Sequence, residues 1–231
     1  GGDRGTRTLD LCVANASLSQ LSYAPVYKFD RSLRKNSIPI FVASQYTYMN
    51  FYRKEENFYM KSLLIALNAK YIHSNPAVYS LRAYSDRAFK EKGISQGMRP
   101  EMEIAEYTVN QPTLGILSDI YGKKPEAVFF SCYIWNIEKV KELTDNIRKI
   151  MPETEIWLGG PEVSFAPCRV LKENSSVDGI ICGEGEETFF QVVSALESCR
   201  AASRTSLLQR FSHINGIIFR NEYGDVIENS Q

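Results

Sequence analysis

The chain has no excess of charge of either sign, because 27 lysines and arginines balance 27 aspartates and glutamates. A neutral chain gives no reason to expect nucleic acid as its main partner. No apolar run approaches the roughly 18 residues that a membrane-spanning helix needs, so a membrane is not expected as a partner either. The first residues also lack the basic-then-apolar layout of a signal peptide. A cytoplasmic location is therefore expected.

The five cysteines are widely spaced and form no Cys-x-x-Cys pair. An odd number at such spacings argues against a disulfide framework and against a zinc site. Cys132 and Cys182 fall at the ends of apolar runs and are predicted to be buried, inert thiols. Phe129, Phe130 and Ile134, in the same stretch as Cys132, are predicted to lie in the core.

From Met60 onward, apolar runs typical of strands alternate with helical patterns. A continuous apolar run indicates a strand that helices cover on both faces. The alternation predicts an α/β fold with a five-stranded, parallel, doubly wound sheet. The predicted strands are 61–67, 102–109, 125–131, 155–159 and 177–182, with 102–109 near the sheet edge. The predicted helices are 77–92, 113–121, 137–150, 168–174 and 186–198.

Two segments flank the predicted domain of residues 60–200. Residues 201–231 read as a linker and a small β-hairpin, over 214–220 and 226–228, that follows the sheet as an appendage. Residues 1–59 show no sustained hydrophobic periodicity of the kind that indicates a helix or a strand, and they are predicted to lie outside the fold. The stretch from Gly5 to Pro25 resembles the conceptual translation of the antisense strand of a transfer-RNA gene. A spurious translation or a disordered extension is therefore expected there, with Met60 as the true start.

Several enzyme signatures are missing. The chain has no Gly-x-x-x-x-Gly-Lys-Ser/Thr, no Gly-x-Gly-x-x-Gly after the first strand and no Gly-x-Ser-x-Gly. These absences exclude phosphate-loop nucleotidases, dinucleotide-binding enzymes and α/β-hydrolases. A response regulator would carry an aspartate after the third strand, where residues 131–135 read Ser-Cys-Tyr-Ile-Trp.

Two predicted strands end in glycine-rich tips, at residues 159–164 and 182–186. Ligands of open parallel sheets bind at the carboxyl ends of the strands, and glycine there lets a ligand approach the backbone. With the hairpin at 214–224, these tips resemble the amino-terminal cobalamin-binding domain of cobalamin-dependent radical S-adenosylmethionine enzymes. The opening stretch 66–74 resembles one subgroup of that family. The resemblance implies a flavodoxin-like or Rossmann-like cobalamin-binding fold.

The resemblance also implies a fragment. The radical half of such enzymes needs three closely spaced thiolates for an iron–sulfur cluster, and no three cysteines here have that spacing. The cluster and S-adenosylmethionine would belong to a radical domain absent from this chain. No activity is expected from the chain alone, and the parent enzyme would resemble a radical S-adenosylmethionine methyltransferase. A cofactor-free interaction or regulatory domain and the relic of a broken gene remain alternatives.

Particular roles follow from the resemblance. His73 falls on the position of a histidine that binds cobalt from below in related domains, and a space-filling role is also open. Tyr71 and Pro76 depart from the aspartate and glycine of that pattern. Ser131 matches a hydroxyl that meets the nucleotide tail of the cofactor, and Tyr133 would line the slot for this tail.

Other implied roles concern the two tips. Gly159 and Gly160 would make room for the tail base, and Ser164 would hydrogen-bond the corrin amides. Tyr133 and Trp135 would pack either on the corrin or in the core. Glu184 and Glu186 suit a helix start better than acid–base chemistry, so no catalytic residue is expected. The expected cofactor-binding residues are Asn68, Ala69, Lys70, Tyr71, His73, Ser131, Tyr133, Trp135, Gly159, Gly160, Pro161, Glu162, Ser164, Gly183, Glu184, Gly185 and Glu186.

Overall fold

The computed structural model describes residues 59–70, 74–200 and 207–230, without the side chains of residues 199 and 200. The predicted extension over residues 1–59 lies outside the described residues except for its last one. The strands are β1 Lys61–Asn68, β2 Glu101–Thr108, β3 Ala127–Ser131, β4 Glu155–Gly159, β5 Gly179–Ile181, β6 Ile217–Arg220 and β7 Val226–Glu228.

The helices alternate with the strands along the chain. They are α1 Pro76–Glu91, α2 Thr113–Lys123, α3 Ile137–Ile150, α4 Pro161–Ser164, α5 Pro167–Glu173, α6 Glu186–Arg200 and α7 Leu207–Phe211, with a 3-10 turn at Gln96–Met98. Within the described ranges, none of them has the length and apolar character that crossing a bilayer requires.

All seven strands form one sheet in the order β2-β1-β3-β4-β5-β6-β7. Strands β1 to β5 are parallel, with β2 at the edge as predicted. The prediction of a five-stranded parallel sheet with a separate hairpin is wrong, because β6 pairs antiparallel with β5 and β7 with β6. The hairpin satisfies the backbone groups that β5 would otherwise expose at an open edge. The pairing also buries Ile217, Ile218 and Phe219.

Helices cover both faces of the sheet. Leu64, Phe129 and Trp157 point to the face covered by α1, α6 and α7, whereas alternate residues such as Leu63 and Val128 point to the face covered by α2, α3 and α5. The connection after β1 leads to one face and the connection after β3 leads to the other. The crevice for a ligand in such a sheet opens at this change of direction, here between the ends of β1 and β3.

Several elements begin or end a few residues away from the predicted bounds, and two of the differences lie beside the strand tips. Ile134 was expected in the core, but its side chain is 78% exposed because β3 already ends at Ser131. The single helix expected over 168–174 is preceded by a separate turn of helix, α4, that starts directly after the Gly160 bend.

Gly179 gives the buried Trp157 ring the space that it needs. A Cβ at Gly179 would lie 2.4 Å from Cζ3 of Trp157, which has no exposed surface. The ring is held on its other sides by Phe129 and Phe211, at centroid distances of 6.5 and 5.2 Å. Since interiors are close-packed, the ring cannot move without displacing these neighbours.

We therefore expect Gly179→Ala to lower the free energy of unfolding by about 1–3 kcal/mol, the usual cost of overpacking a core. Gly122→Ala is the matched control, because a Cβ there meets nothing within 4 Å on the exposed side of α2. This control should be neutral or more stable by up to about 1 kcal/mol, since alanine favours helix. Denaturant unfolding of both variants makes the comparison, and equal stabilities would contradict the packing argument.

Candidate functional site

Near the carboxyl ends of β1, β3 and β4, three neighbouring positions on one face of the sheet carry a small side chain or none. Ser131 is in register with Ala66 on one side and with Gly159 on the other, and Gly159 is in register with Ile181. Because side chains alternate along a strand, Gly159 lies on the same face as Trp157, towards α1 and α6. The small side chains leave room between the sheet and these two helices.

This room is a cavity of about 190 Å³. Its floor is formed by Leu64 and Phe129 of the sheet, and its walls by Val78 and Leu81 of α1 and Phe189 of α6. The interior is thus mainly apolar. Of the residues that the sequence indicated, eight line it, namely Ser131, Tyr133, Gly159, Gly160, Pro161, Gly183, Glu184 and Gly185.

Ser131 is a polar group in this apolar cavity. Its side chain is held at the end of β3, with 8% of the residue exposed. The amide Nδ2 of Asn75 donates a hydrogen bond to Ser131 Oγ at 3.0 Å. Because Ser131 accepts in this bond, its own hydroxyl proton can be donated to a group in the cavity.

Gly159 and Gly160 are glycines for different reasons. Gly160 has a φ of +108°, and a Cβ there would lie 2.5 Å from the carbonyl oxygen of Cys132. The protein itself therefore requires glycine at residue 160. At Gly159, a Cβ would meet Ile181 O at 3.6 Å, which is ordinary contact. Of these two glycines, Gly159 could therefore be replaced by alanine without a clash inside the protein, so its missing side chain leaves free space in the cavity.

The second glycine-rich tip forms the mouth of the cavity. Gly183 and Gly185 have φ values of +82° and +87°, which favour glycine over other residues. Glu186 begins α6, and its Oε1 accepts a hydrogen bond from Ser80 Oγ of α1 at 2.7 Å. This bond joins the two helices that flank the cavity. Glu186 thus has a structural task and stands at a helix start, as its position in the sequence predicts.

Tyr133 and Trp135 lie on the connection after β3. Their rings stack on each other with centroids 4.5 Å apart and an interplanar angle of 7°. Trp135 is 53% exposed, so a place in the core is wrong for this residue. The stacked pair stands at the carboxyl edge of the sheet, with Tyr133 on the cavity side.

Three further residues of the first tip are spread around the turn. Pro161 begins α4 and reaches the cavity, whereas Glu162 and Ser164 are not among its lining residues. Ser164 Oγ donates to Gly160 O at 2.8 Å, so its hydroxyl proton is used inside the turn.

The connection after β1 is described only in part. Asn68 is buried at the end of β1, while Ala69 and Lys70 are exposed. Tyr71 and His73 lie outside the described residues. The role of His73 as a cobalt ligand therefore stays a prediction.

The sequence reading missed three polar residues that order this edge. Asn136 is 1% exposed, and its Nδ2 donates to Leu67 O at 3.1 Å and to Ser131 O at 2.9 Å. Asn75 caps α1 by accepting from Ala77 N at 3.0 Å. Glu106 of β2 accepts from Asn75 N at 2.9 Å. The Asn75-Pro76 pair is a recognisable helix start, whereas the contact with Glu106 leaves no signal in the sequence.

The two thiols near the site are buried, as predicted. Cys132 and Cys182 are buried and free. Burial raises the pKa of the Cys132 thiol to about 12, and burial also raises that of Cys182. Among the described residues, no three histidine, cysteine, aspartate or glutamate side chains are grouped to hold a metal ion.

Two curated proteins are similar to the chain in sequence. TokK of Streptomyces tokunonensis, a cobalamin-dependent radical SAM methyltransferase, is 27% identical over 71 residues, or 31% of this chain and 10% of TokK. The 2-(S-pantetheinyl)-carbapenam-3-carboxylate methyltransferase of Streptantibioticus cattleyicolor is 28% identical over 69 residues, or 30% of this chain and 10% of that enzyme. The similar region thus spans about a tenth of the length of these relatives.

Solved structures show the same fold. The structure of OxsB, a cobalamin-dependent S-adenosylmethionine radical enzyme, with aqua-cobalamin bound superimposes with a TM-score of 0.58 at 15% identity. It covers 92% of this chain and 27% of OxsB. The structure of apo OxsB gives a TM-score of 0.53 at 17% identity, over 74% of this chain and 22% of OxsB.

The family model of the B12 binding domain matches residues 63–193, which is more than half of the chain and extends from β1 into α6. The matched segment contains the cavity and both glycine-rich tips. The prediction of a cobalamin-binding module that resembles the cobalamin-binding part of radical S-adenosylmethionine enzymes is confirmed. The chain belongs to the B12-binding domain family.

Proposed function

We propose that the chain is the cobalamin-binding module of a radical S-adenosylmethionine enzyme and that the cavity beneath α1 and α6 receives the nucleotide tail of cobalamin. The observation that carries this proposal is the apolar cavity of about 190 Å³ at the carboxyl ends of the strands. It lies within the matched B12-binding domain and next to the point where the winding of the sheet reverses. Both features favour a ligand at this edge.

The residues present fit such a tail. Gly159 leaves space that the fold itself does not need, since an alanine there would make only ordinary contacts. The walls are aliphatic and aromatic side chains, which suit a flat aromatic base. Ser131 offers one hydroxyl proton inside this apolar room, and such a donor can satisfy a ring nitrogen of the base.

The remaining predicted residues would surround the rest of the cofactor. His73 would ligate cobalt from below, and the Tyr133–Trp135 stack would meet the corrin at the sheet edge. The mouth of the slot would be formed by Gly183, Glu184 and Gly185. Ser164 would accept a hydrogen bond from a corrin amide, because its own hydroxyl proton is donated to Gly160 O. The other predicted residues around the cofactor are Asn68, Ala69, Lys70, Tyr71, Pro161, Glu162 and Glu186.

Bound cobalamin would carry a methyl group or assist radical chemistry in the parent enzyme. The side chains of this module would bind the cofactor, orient it and keep water from it, and none of them would be catalytic. An iron–sulfur cluster and S-adenosylmethionine would be held by a radical domain of the parent enzyme. A cytoplasmic location is part of the proposal.

The first test is a titration of the full chain with hydroxocobalamin, followed by corrin absorbance. We expect saturable binding with a shifted spectrum. A His73→Ala variant that binds without the shift would identify His73 as the lower ligand. An unchanged spectrum in this variant would assign His73 a packing role. Absence of binding by a well-folded chain would contradict the proposal and favour a cofactor-free interaction domain.

A pair of glycine variants tests the tail slot itself. Gly159→Ala should keep the thermal midpoint of the wild type but weaken hydroxocobalamin binding about five- to 100-fold, because its methyl group overfills the slot. Gly160→Ala should lower the midpoint, since its Cβ would collide with Cys132 O at 2.5 Å. An unchanged affinity in Gly159→Ala would place the tail elsewhere.

A further inference from the structure

Glu106 joins both ends of the connection between β1 and α1. Its Oε1 accepts from Asn68 Nδ2 at 3.1 Å and from the backbone N–H of Asn75 at 2.9 Å. Its Oε2 accepts from the hydroxyl of Tyr79 at 2.8 Å. Asn68 ends β1, Asn75 caps α1 and Tyr79 lies in the first turns of that helix. A single carboxylate on the edge strand β2 thus fixes where the connection starts and where it stops.

This carboxylate is linked to the cavity by a short chain of bonds. Asn75, which Glu106 holds through its backbone, donates through Nδ2 to Ser131 Oγ at 3.0 Å. Asn75 also starts α1, and the next turn of α1 supplies Ala77, Val78 and Leu81 to the cavity wall. A displacement of Asn75 would therefore move the hydroxyl of Ser131 and one wall of the cavity together.

We propose that Glu106 is a positioning residue for the cofactor, which holds Asn75 and the start of α1 so that Asn75, Ser131 and the α1 wall are preformed for cobalamin. This inference rests on the proposed function. It gives the module a determinant of affinity that does not itself line the cavity. Preformed sites bind more tightly because the ordering cost is met before the ligand arrives.

A carboxylate is the side chain that suits this task. It accepts hydrogen bonds at both oxygens and carries no proton that would oppose a donor. Partial burial raises the pKa of Glu106, but hydrogen bonds from Asn75, Tyr79, Asn68 and Ser74 outweigh burial and leave this pKa below its usual value. A glutamine would turn an NH₂ group towards either Tyr79 or the two N–H donors. In the first case Tyr79 would have to accept from the amide, and in the second both N–H bonds would be lost. In either case the charge-assisted bonds to the carboxylate would be replaced by weaker ones or lost.

The test uses the full chain and compares Glu106→Gln with Glu103→Gln. Glu103 lies on the same strand but pairs with Lys61 at 3.1 Å and Lys123 at 2.5 Å, away from the connection. Two quantities are measured for each variant, namely hydrogen exchange of peptides that cover the start of α1, residues 75–82, and the dissociation constant for hydroxocobalamin. Tyr79→Phe provides a milder variant that removes one bond and no charge.

We expect Glu106→Gln to speed exchange in this segment and to weaken hydroxocobalamin binding, each by about tenfold. Glu103→Gln should change neither quantity, even if it lowers the thermal midpoint as much. Tyr79→Phe should have smaller effects in the same direction and should add little in the Glu106→Gln background, because both changes break one network.

Exchange that stays unchanged in both Glu106→Gln and Tyr79→Phe would overturn the inference, whatever happens to binding. Faster exchange with unaltered affinity would also overturn it, since Glu106 would then only stabilise the fold. If the wild-type chain does not bind hydroxocobalamin at all, the proposed function fails instead. In that case exchange still decides whether Glu106 orders the start of α1, and faster exchange in Glu106→Gln supports that part.

Discussion

Ser131 pairs with Ala66 on one side and with Gly159 on the other, and the register that creates these pairs determines the shape of the whole carboxyl edge. A slip of one residue would exchange the two faces of a strand and bring Phe130 or Leu158 into this row. The row would then be filled by large side chains. The hydrophobic core deeper in the sheet fixes this register. The cavity exists because the register places the small residues Ala66, Ser131 and Gly159 side by side near the carboxyl edge.

Register alone would leave the connections at this edge with unpaired backbone groups. Asn136 prevents this, because its amide bonds the carbonyls of Leu67 and Ser131 and its Oδ1 accepts from Tyr133 N at 2.8 Å. One buried side chain thus satisfies backbone atoms from the ends of both β1 and β3. Buried polar groups that are fully paired stabilise a single arrangement, whereas unpaired ones are costly. At the reversal of winding, Asn136 thus joins the ends of β1 and β3, and Asn75 and Glu106 hydrogen-bond each other on the β1 side of the crevice.

Much of the fold could be read from the sequence because its signals are local. The bounds of α3 and β4 coincide with the prediction, since periodicity and a short apolar run between turns define them without reference to other elements. The joining of the hairpin to β5 could not be read, because nothing local tells which edge a strand will pair with. The prediction that Ile134 lies in the core is wrong for a related reason. The strand β3 ends where its pairing with β4 ends, not where its apolar run ends.

The site also depends partly on local sequence signals and partly on contacts between neighbouring strands. Glycines and a serine at strand ends can be recognised one by one, and most of them line the cavity. The sequence does not tell why each of these positions carries a glycine or a serine, as the two adjacent glycines of the first tip illustrate. Gly160 is required by a carbonyl of the neighbouring strand connection, so its presence says nothing about a ligand. Gly159 has no such requirement, and only this kind of glycine carries information about what the cavity receives. A glycine-rich motif is thus a mixture of folding and binding constraints, and the distances from each missing Cβ to its neighbours separate them.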